Sequence, residues 1–260
     1  MRFEKWHGLG NAYLLVERAD AGAPLAAVQV RRLCDVSEGI GADGVLEIVS
    51  ADGAEVEVVI WNPDGSTAEL SGNGTRIAAR WLAEREGAEQ VRVRVGPREI
   101  GATMRDGLEV ETELGGVEVA DAEIVDVGDE TIEVTPVSVG NPHAVVAREP
   151  TREELLRLGP RLEHHRRFPD RTNVQLVRVD SGSELTVAVW ERGAGVTRSS
   201  GTSAVAAAAA AVARGWCRAP VTVHLAGGDL LVELDEERRA RLTGPAERIC
   251  RGEISPGLLA

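Results

Sequence analysis

Lysine is almost absent. The 260-residue chain carries 29 basic side chains, yet a reading along it finds one lysine, Lys5, and arginine everywhere else. Enzymes that use pyridoxal phosphate hold it through a lysine Schiff base, and Lys5 lies in an N-terminal strand pattern, an awkward place for that role. Any amino-acid chemistry is therefore expected to proceed without that cofactor, and no other cofactor is implied. Aromatic residues make up only 3% of the chain, so the core has to be built from Val, Leu, Ile and Ala. The three cysteines, Cys34, Cys217 and Cys250, are odd in number, and no pair has the Cys-x-x-Cys spacing of a metal or redox site. Each is expected to be a small core residue, and with no ligand cluster visible no metal is expected.

Long apolar runs are missing too. No window approaches the ~18 consecutive apolar residues of a membrane span; the longest run, Ala204–Ala213, is mostly alanine. The start, Met1–Gly8, lacks the apolar stretch of a signal peptide. The expectation is a cytoplasmic protein with no membrane partner. A net charge of −13 disfavours nucleic acid, whose phosphates an acidic surface repels. The arginines of Arg161–Arg171, with His164 and His165 among them, read as an exposed basic helix face.

What is present is alternation of Val, Ile or Leu with charged residues. Val45–Val49, Ala54–Trp61, Gln90–Val95, Leu108–Glu113, Ala122–Val127, Thr131–Val139, Val174–Val179, Glu184–Trp190, Val221–Leu225 and Leu230–Leu234 have the period of half-buried strands. Helical patterns are fewer: Pro24–Cys34, Gly74–Glu86, Thr151–Leu158 and Thr202–Arg214. Many strands joined by Asp-Gly and Gly-Gly turns predict an α+β fold with mixed sheets rather than a doubly wound parallel sheet.

The chain also repeats itself. Trp61 precedes Ser71 as Trp190 precedes Ser200, and each serine is followed by a glycine, Gly72 or Gly201, and a helical pattern. Gly10-Asn11 recurs as Gly140-Asn141 at nearly the same offset. The expectation is a duplicated fold of two pseudo-symmetric halves, 1–115 with the tail 247–260 and 116–246, with a cleft between them.

Two motifs point elsewhere and fail on context. Gly39-Ile-Gly41-Ala-Asp-Gly44 spells a dinucleotide fingerprint, but that motif needs a strand before it and a helix after it. Here the order is reversed, so the segment reads as a tight turn. Neither Ser71 nor Ser200 lies in a Gly-x-Ser-x-Gly hydrolase elbow, because Glu69 and Arg198 stand two residues before them. The paired Ser-Gly steps that open helices carry more. A helix N-terminus presents unpaired N–H groups and partial positive charge, which suits a carboxylate. If the halves face each other, the two serines lie on opposite sides of one ligand, as inversion at a carbon centre requires. Equally, both serines could be simple helix caps.

His7-Gly-Leu-Gly-Asn11, Gly39–Gly44, Asn62–Gly74, Gly140-Asn-Pro-His143, Thr172-Asn-Val174, Glu191-Arg-Gly193, Ser200-Gly-Thr202 and Thr243-Gly-Pro-Ala246 together resemble diaminopimelate epimerases. The likeness runs in order over essentially the whole chain. It implies two halves, each a mixed sheet wrapped around a central helix with the active site between them. It also implies a cofactor-independent homodimer that interconverts LL- and meso-diaminopimelate for lysine and peptidoglycan synthesis. By the same resemblance Asn11, Asn62, Asn141, Asn173, Glu191 and Arg192 bind the amino groups of the substrate. Gly72, Asn73, Gly201 and Thr202 bind its α-carboxylate, and His143 sits beside the reacting centre. The family's two acid/base residues are cysteines, and here Ser71 and Ser200 stand in their places. A thiol ionises near pH 8.5 and lower at a helix N-terminus, whereas a serine hydroxyl needs a neighbouring base.

Three explanations stay open on the sequence. The chain is an epimerase with weak chemistry or chemistry carried by His143 and Glu191. It is a related isomerase or dehydratase for another amino acid, or an amino-acid-binding protein without catalysis. Or the serines are replacements that keep the shape of the site and silence it.

Overall fold

The computed structural model describes residues 1–259. It divides into two compact units, Met1–Thr112 with the tail from Gly244, and Glu113–Thr243. The first unit runs through β1 (Arg2–Gly8), β2 (Asn11–Glu17), the single turn α1 (Arg18–Ala21), α2 (Ala27–Cys34), β3 (Val45–Asp52), β4 (Glu55–Trp61), β5 (Thr67–Ala68), α3 (Gly72–Glu86), β6 (Gln90–Val95), β7 (Arg98–Met104) and β8 (Glu109–Gly116). The second continues with β9 (Glu118–Val119), β10 (Glu123–Asp126), β11 (Thr131–Ser138), β12 (Pro142–Ala147), α4 (Arg152–Glu163), β13 (Asn173–Ser181), β14 (Glu184–Glu191), β15 (Gly195–Thr197), α5 (Gly201–Ala213), β16 (Val221–Leu225), β17 (Gly228–Leu234) and β18 (Arg239–Pro245). The chain then returns to the first unit as β19 (Glu247–Glu253), which pairs antiparallel with β1.

Each unit is a mixed sheet with one helix on its inner face. In the first, β2 runs parallel to β3, β3 antiparallel to β4, and β4 parallel to β6. In the second, β12, β13, β14 and β16 repeat that sequence of pairings. The registers repeat as well: Leu14 opposite Val45 becomes Ala144 opposite Val174, Val45 opposite Trp61 becomes Val174 opposite Trp190, and Trp61 opposite Thr67 becomes Trp190 opposite Val196. Every counterpart lies 129 or 130 residues later, so the duplication predicted from two short motifs extends through the ladder of each sheet.

The inner helices are central for different reasons. α3 packs against β1, β2, β3, β4, β6 and β7, and α5 against β9, β11, β12, β13, β14, β16 and β17. The middle of α5 is a run of six alanines, and its residues from Gly201 to Ala211 are all buried. A helix apolar all round belongs inside, and one built of alanine is narrow enough for a sheet to curl closely about it. A second layer covers the other sheet face. Leu14, Val16 and Val45 pack on Val30 and Leu33 of α2, while Tyr13, Leu15, Leu46 and Ile48 face Ile77, Ala78 and Leu82 of α3. In the second unit Ala144, Val146, Val174 and Leu176 pack on Leu155, Leu158 and Leu162 of α4.

Several local expectations need correcting. Cys34 and Cys217 are buried, and burial raises the Cys34 thiol to about 11, but Cys250 on β19 is exposed. The stretch Arg161–Arg171 is not one helix face: α4 ends at Glu163, and the loop beyond it tucks Phe168 into the core. α4 runs through Gly159-Pro160 rather than stopping at Leu158. The Gly39–Gly44 segment has a helix before it and a strand after it, as a turn and not a nucleotide cradle requires.

Candidate active site

In the first unit the site gathers where β2 begins and α3 begins. Gly10 adopts a positive φ of 81°, a conformation glycine takes without strain, and the reversal delivers Asn11 as the first residue of β2. Ser71 is the N-cap of α3, its Oγ accepting the Gly74 N–H at 3.0 Å. That oxygen lies 3.0 Å from the phenol of Tyr13 as well. Asn73, buried in the first turn, donates from Nδ2 to Asn11 Oδ1 at 3.0 Å. Its Oδ1 accepts from the Arg76 guanidinium at 2.6 Å, and a second arm of Arg76 reaches the Gly72 carbonyl at 3.2 Å. Arg76 is fully buried and its Nε has no hydrogen-bond partner. Burial draws its pKa down to about 10, against the pull of Glu109, so it remains a cation at neutral pH. A cation inside an apolar helix is costly; here it fixes the amide of Asn73 and, through it, that of Asn11.

Asn62 behaves differently. Its Nδ2 donates to Ser66 Oγ at 3.0 Å, its N–H donates to the Ser66 carbonyl, and its own carbonyl accepts from Gly65. One N–H of the side chain is committed to the turn after β4.

In the second unit Gly140, with a φ of 82°, delivers Asn141 to the start of β12 as Gly10 delivers Asn11. His143, 1% exposed, makes two ring contacts. Gln175 Nε2 can only donate, so it bonds to Nδ1 at 3.1 Å as acceptor, which leaves the proton on Nε2 to bond Asn141 Oδ1 at 2.9 Å. The ring is neutral: burial first, then the nearby Arg192 cation, draws its pKa down to about 3, against the raising effect of Gln175. Gln175 also donates to Ser203 Oγ at 3.0 Å, tying this chain to the first turn of α5. Asn173 joins two backbone segments, donating to the Pro142 carbonyl at 3.0 Å and accepting the Arg192 N–H at 2.9 Å.

The turn that carries Glu191 and Arg192 is anchored from beneath. Glu163, at the end of α4 and 3% exposed, accepts the Gly193 N–H at 2.9 Å and the Trp190 indole at 2.7 Å, with Arg171 at 3.4 Å. The first unit contains the same device by other means. Buried Glu47 accepts the indole of Trp61 at 2.9 Å, the Leu25 N–H at 3.1 Å and Arg18 at 2.7 Å.

Ser200 is the N-cap of α5 in position, but its hydroxyl makes no capping bond. Thus the N–H of Ser203, counterpart of the Gly74 N–H, is not taken by a cap side chain. Gly201 and Thr202 follow in the buried first turn. The structure brings Ser71, Gly72, Asn73 and Asn11 together in one unit. In the other, Asn141, His143 and Asn173 cluster around the starts of β12 and β13, with Glu191–Arg192 beside them. Sequence reasoning passed over Tyr13, Arg76, Glu163 and Gln175. The repeat offset could have found the first, since it maps Tyr13 onto His143.

The family profile described as diaminopimelate epimerase matches residues 3–120 and 135–249. A diaminopimelate epimerase of Synechococcus elongatus is 37% identical over 275 residues, spanning 98% of each chain. Among solved structures, a probable proline racemase from Agrobacterium radiobacter superposes with a TM-score of 0.75 at 16% identity, covering 98% of this chain and 93% of that one. A hydroxyproline epimerase from Agrobacterium vitis gives 0.73 at 17%, covering 97% and 91%. The likeness to those two concerns the fold; the sequence likeness goes further, and by it the chain belongs to the diaminopimelate epimerase family of isomerases.

Proposed function

We propose that this protein is a cofactor-independent epimerase that interconverts LL- and meso-diaminopimelate by moving the α-proton, with Ser71 and Ser200 serving opposite faces of the α-carbon. The observation that carries the reading is the matched pair of helix starts, each opened by Ser-Gly and each tied to an asparagine delivered by a positive-φ glycine. Asn11 is tied directly through Asn73, and Asn141 through His143 and Gln175. Each of the two helix starts offers N–H groups and partial positive charge that suit an α-carboxylate and the carbanion formed when the proton leaves. The start of α5 has the larger share, because Ser200 leaves the Ser203 N–H uncapped. Asn11, Asn73, Asn141 and Asn173 orient the substrate, and Glu191 with Arg192 receives the distal amino and carboxylate groups. His143, neutral and bonded at both nitrogens, holds Asn141 and moves no proton.

Serine at both acid/base positions predicts slow turnover. Exchange of the α-proton with deuterium from solvent should be weak in the natural chain and rise sharply in the Ser71→Cys/Ser200→Cys variant, with either single change giving less. Binding is read separately: meso-diaminopimelate at ~100 times its dissociation constant should stabilise the protein by about 2.7 kcal/mol. A double-cysteine variant that is stabilised by diaminopimelate yet exchanges nothing refutes the epimerase reading. The paired serines then favour the second reading, an amino-acid-binding protein. Failure to bind diaminopimelate while another amino acid, such as hydroxyproline, both binds and exchanges would move the assignment within the fold.

A further inference from the structure

Tyr13 is held against Ser71 by the segment that ends in Asp43 and Gly44. The tyrosine lies on the α3 face of β2, 7% exposed, with its phenol oxygen 3.0 Å from Ser71 Oγ. Its ring rests on Gly44: a Cβ there would stand 2.6 Å from Tyr13 Cε1 and 2.5 Å from the Trp61 carbonyl, distances no side chain can occupy. The backbone on either side is pinned to the same segment. Leu14 N–H donates to the Gly44 carbonyl at 3.0 Å, Asp43 N–H to the Ala12 carbonyl at 2.8 Å, and Ala12 N–H to Asp43 Oδ2 at 2.7 Å. The glycine makes room for the ring, and the aspartate fixes the strand that carries it.

We infer that Tyr13 is the proton partner of Ser71, so that phenol and hydroxyl form a two-oxygen relay by which this side of the site exchanges a proton with the substrate α-carbon. This rests on the epimerase reading above. In delivery, the Ser71 O–H breaks as the Cα–H bond forms, the Tyr13 proton moves to Ser71 Oγ, and the negative charge of the carbanion ends on the phenol oxygen. Removal runs the same steps backwards. A phenol ionises near pH ~10, far more readily than an alcohol, so the relay places charge where it is best carried. The Gly74 N–H bond to Ser71 Oγ steadies the middle oxygen throughout. Tyr13 acts through Ser71 and is a positioning residue that also supplies the proton. Its counterpart in the repeat, His143, has both nitrogens committed to Asn141 and Gln175, so the two units have diverged at matched positions.

Tyr13→Phe keeps the ring on Gly44 and removes only the oxygen, so the test is a cycle of Tyr13→Phe with Ser71→Cys, each followed by α-deuterium wash-in and by stabilisation with meso-diaminopimelate. The fold-loss caused by Tyr13→Phe should be at least about tenfold larger in the natural background than in the Ser71→Cys background, where the thiol supplies its own acidity. Proton removal by the unsubstituted protein should keep rising with pH into the phenol range, Tyr13→Phe should abolish that rise, and the Ser71→Cys variant should level off at lower pH, as a thiol at a helix N-terminus does. Equal losses in both backgrounds, or a pH limb that survives Tyr13→Phe, overturn the relay and leave the epimerase reading intact. So does exchange by the Ser71→Cys/Ser200→Cys variant with none by the natural protein. Exchange by no variant, the double-cysteine one included, removes the epimerase reading and the relay with it.

Discussion

Changing Glu163 to glutamine alters one atom and should loosen the turn that carries Glu191 and Arg192. The carboxylate is buried and accepts from the Trp190 indole and the Gly193 N–H through different oxygens, Oε2 at 2.7 Å and Oε1 at 2.9 Å. In Glu163→Gln one of those oxygens becomes an NH2 group facing an N–H, so one bond is lost outright and the other loses its charge assistance. A hydrogen bond to a charged group contributes about 1.5–3 kcal/mol, and an orphaned buried donor costs about 1–3 kcal/mol. With the turn able to relax, a net loss of about 2–4 kcal/mol is expected, a fall in Tm of roughly 5–15 °C for a chain of this size. Because Gly193 is anchored next to Arg192, KM for diaminopimelate should rise several-fold while kcat changes less. Thermal unfolding with and without ligand, together with steady-state rates in the double-cysteine background, reads both quantities. A variant within 2 °C of the natural protein, with an unchanged KM, would show that the turn holds itself and that the anchor is incidental.

Two further perturbations test the polar interiors of the units. Between pH about 6.5 and about 3 the folded protein keeps His143 neutral while the unfolded chain protonates it, so that contribution is fully present above pH 6.5 and is lost as pH falls, at about 1.4 kcal/mol per pH unit. Urea unfolding from pH 7 to 4 should show this slope and His143→Asn should flatten it; an unchanged slope assigns the acid sensitivity to other groups. Arg76→Met should leave stability within about 1 kcal/mol or raise it, since a buried, partly satisfied cation gives way to an apolar side chain of similar length. Stabilisation by diaminopimelate should meanwhile fall by at least half. Intact ligand stabilisation with a large loss of fold stability would refute its role in orienting Asn73 and Asn11.

The duplication was legible because it was written in residues that local geometry requires: Gly10 and Gly140 at positive φ, and serines ahead of helices. Gln90–Val95, found by alternation, has one face to water along its whole length, and β3 and β13, buried on both faces at their starts, reach water only in their outer halves. β2 and β12 escaped because they are buried on both faces, their inner residues Tyr13–Val16 and His143–Val146 all hidden, and a parallel strand covered twice loses its period of two. β7 escaped because Gly101 interrupts its pattern. Among site residues, Asn11 and Asn141 stood out by repetition, while Glu163 and Arg76 looked like ordinary helix-surface charges. Only the third dimension shows that one sits beneath a turn and the other inside a sheet.

The alanine run of α5 has a genetic consequence. A single nucleotide change in an alanine codon yields valine, threonine, serine, proline, glycine, aspartate or glutamate. Along this helix the first adds two methyl groups to a closely packed interior, the hydroxyl and carboxyl residues arrive without partners, glycine weakens the helix and proline breaks it. Almost every one-step neighbour of these positions is harmful. The second unit's axle is thus expected to drift far more slowly than α3, where larger side chains already share the space and can be exchanged for one another.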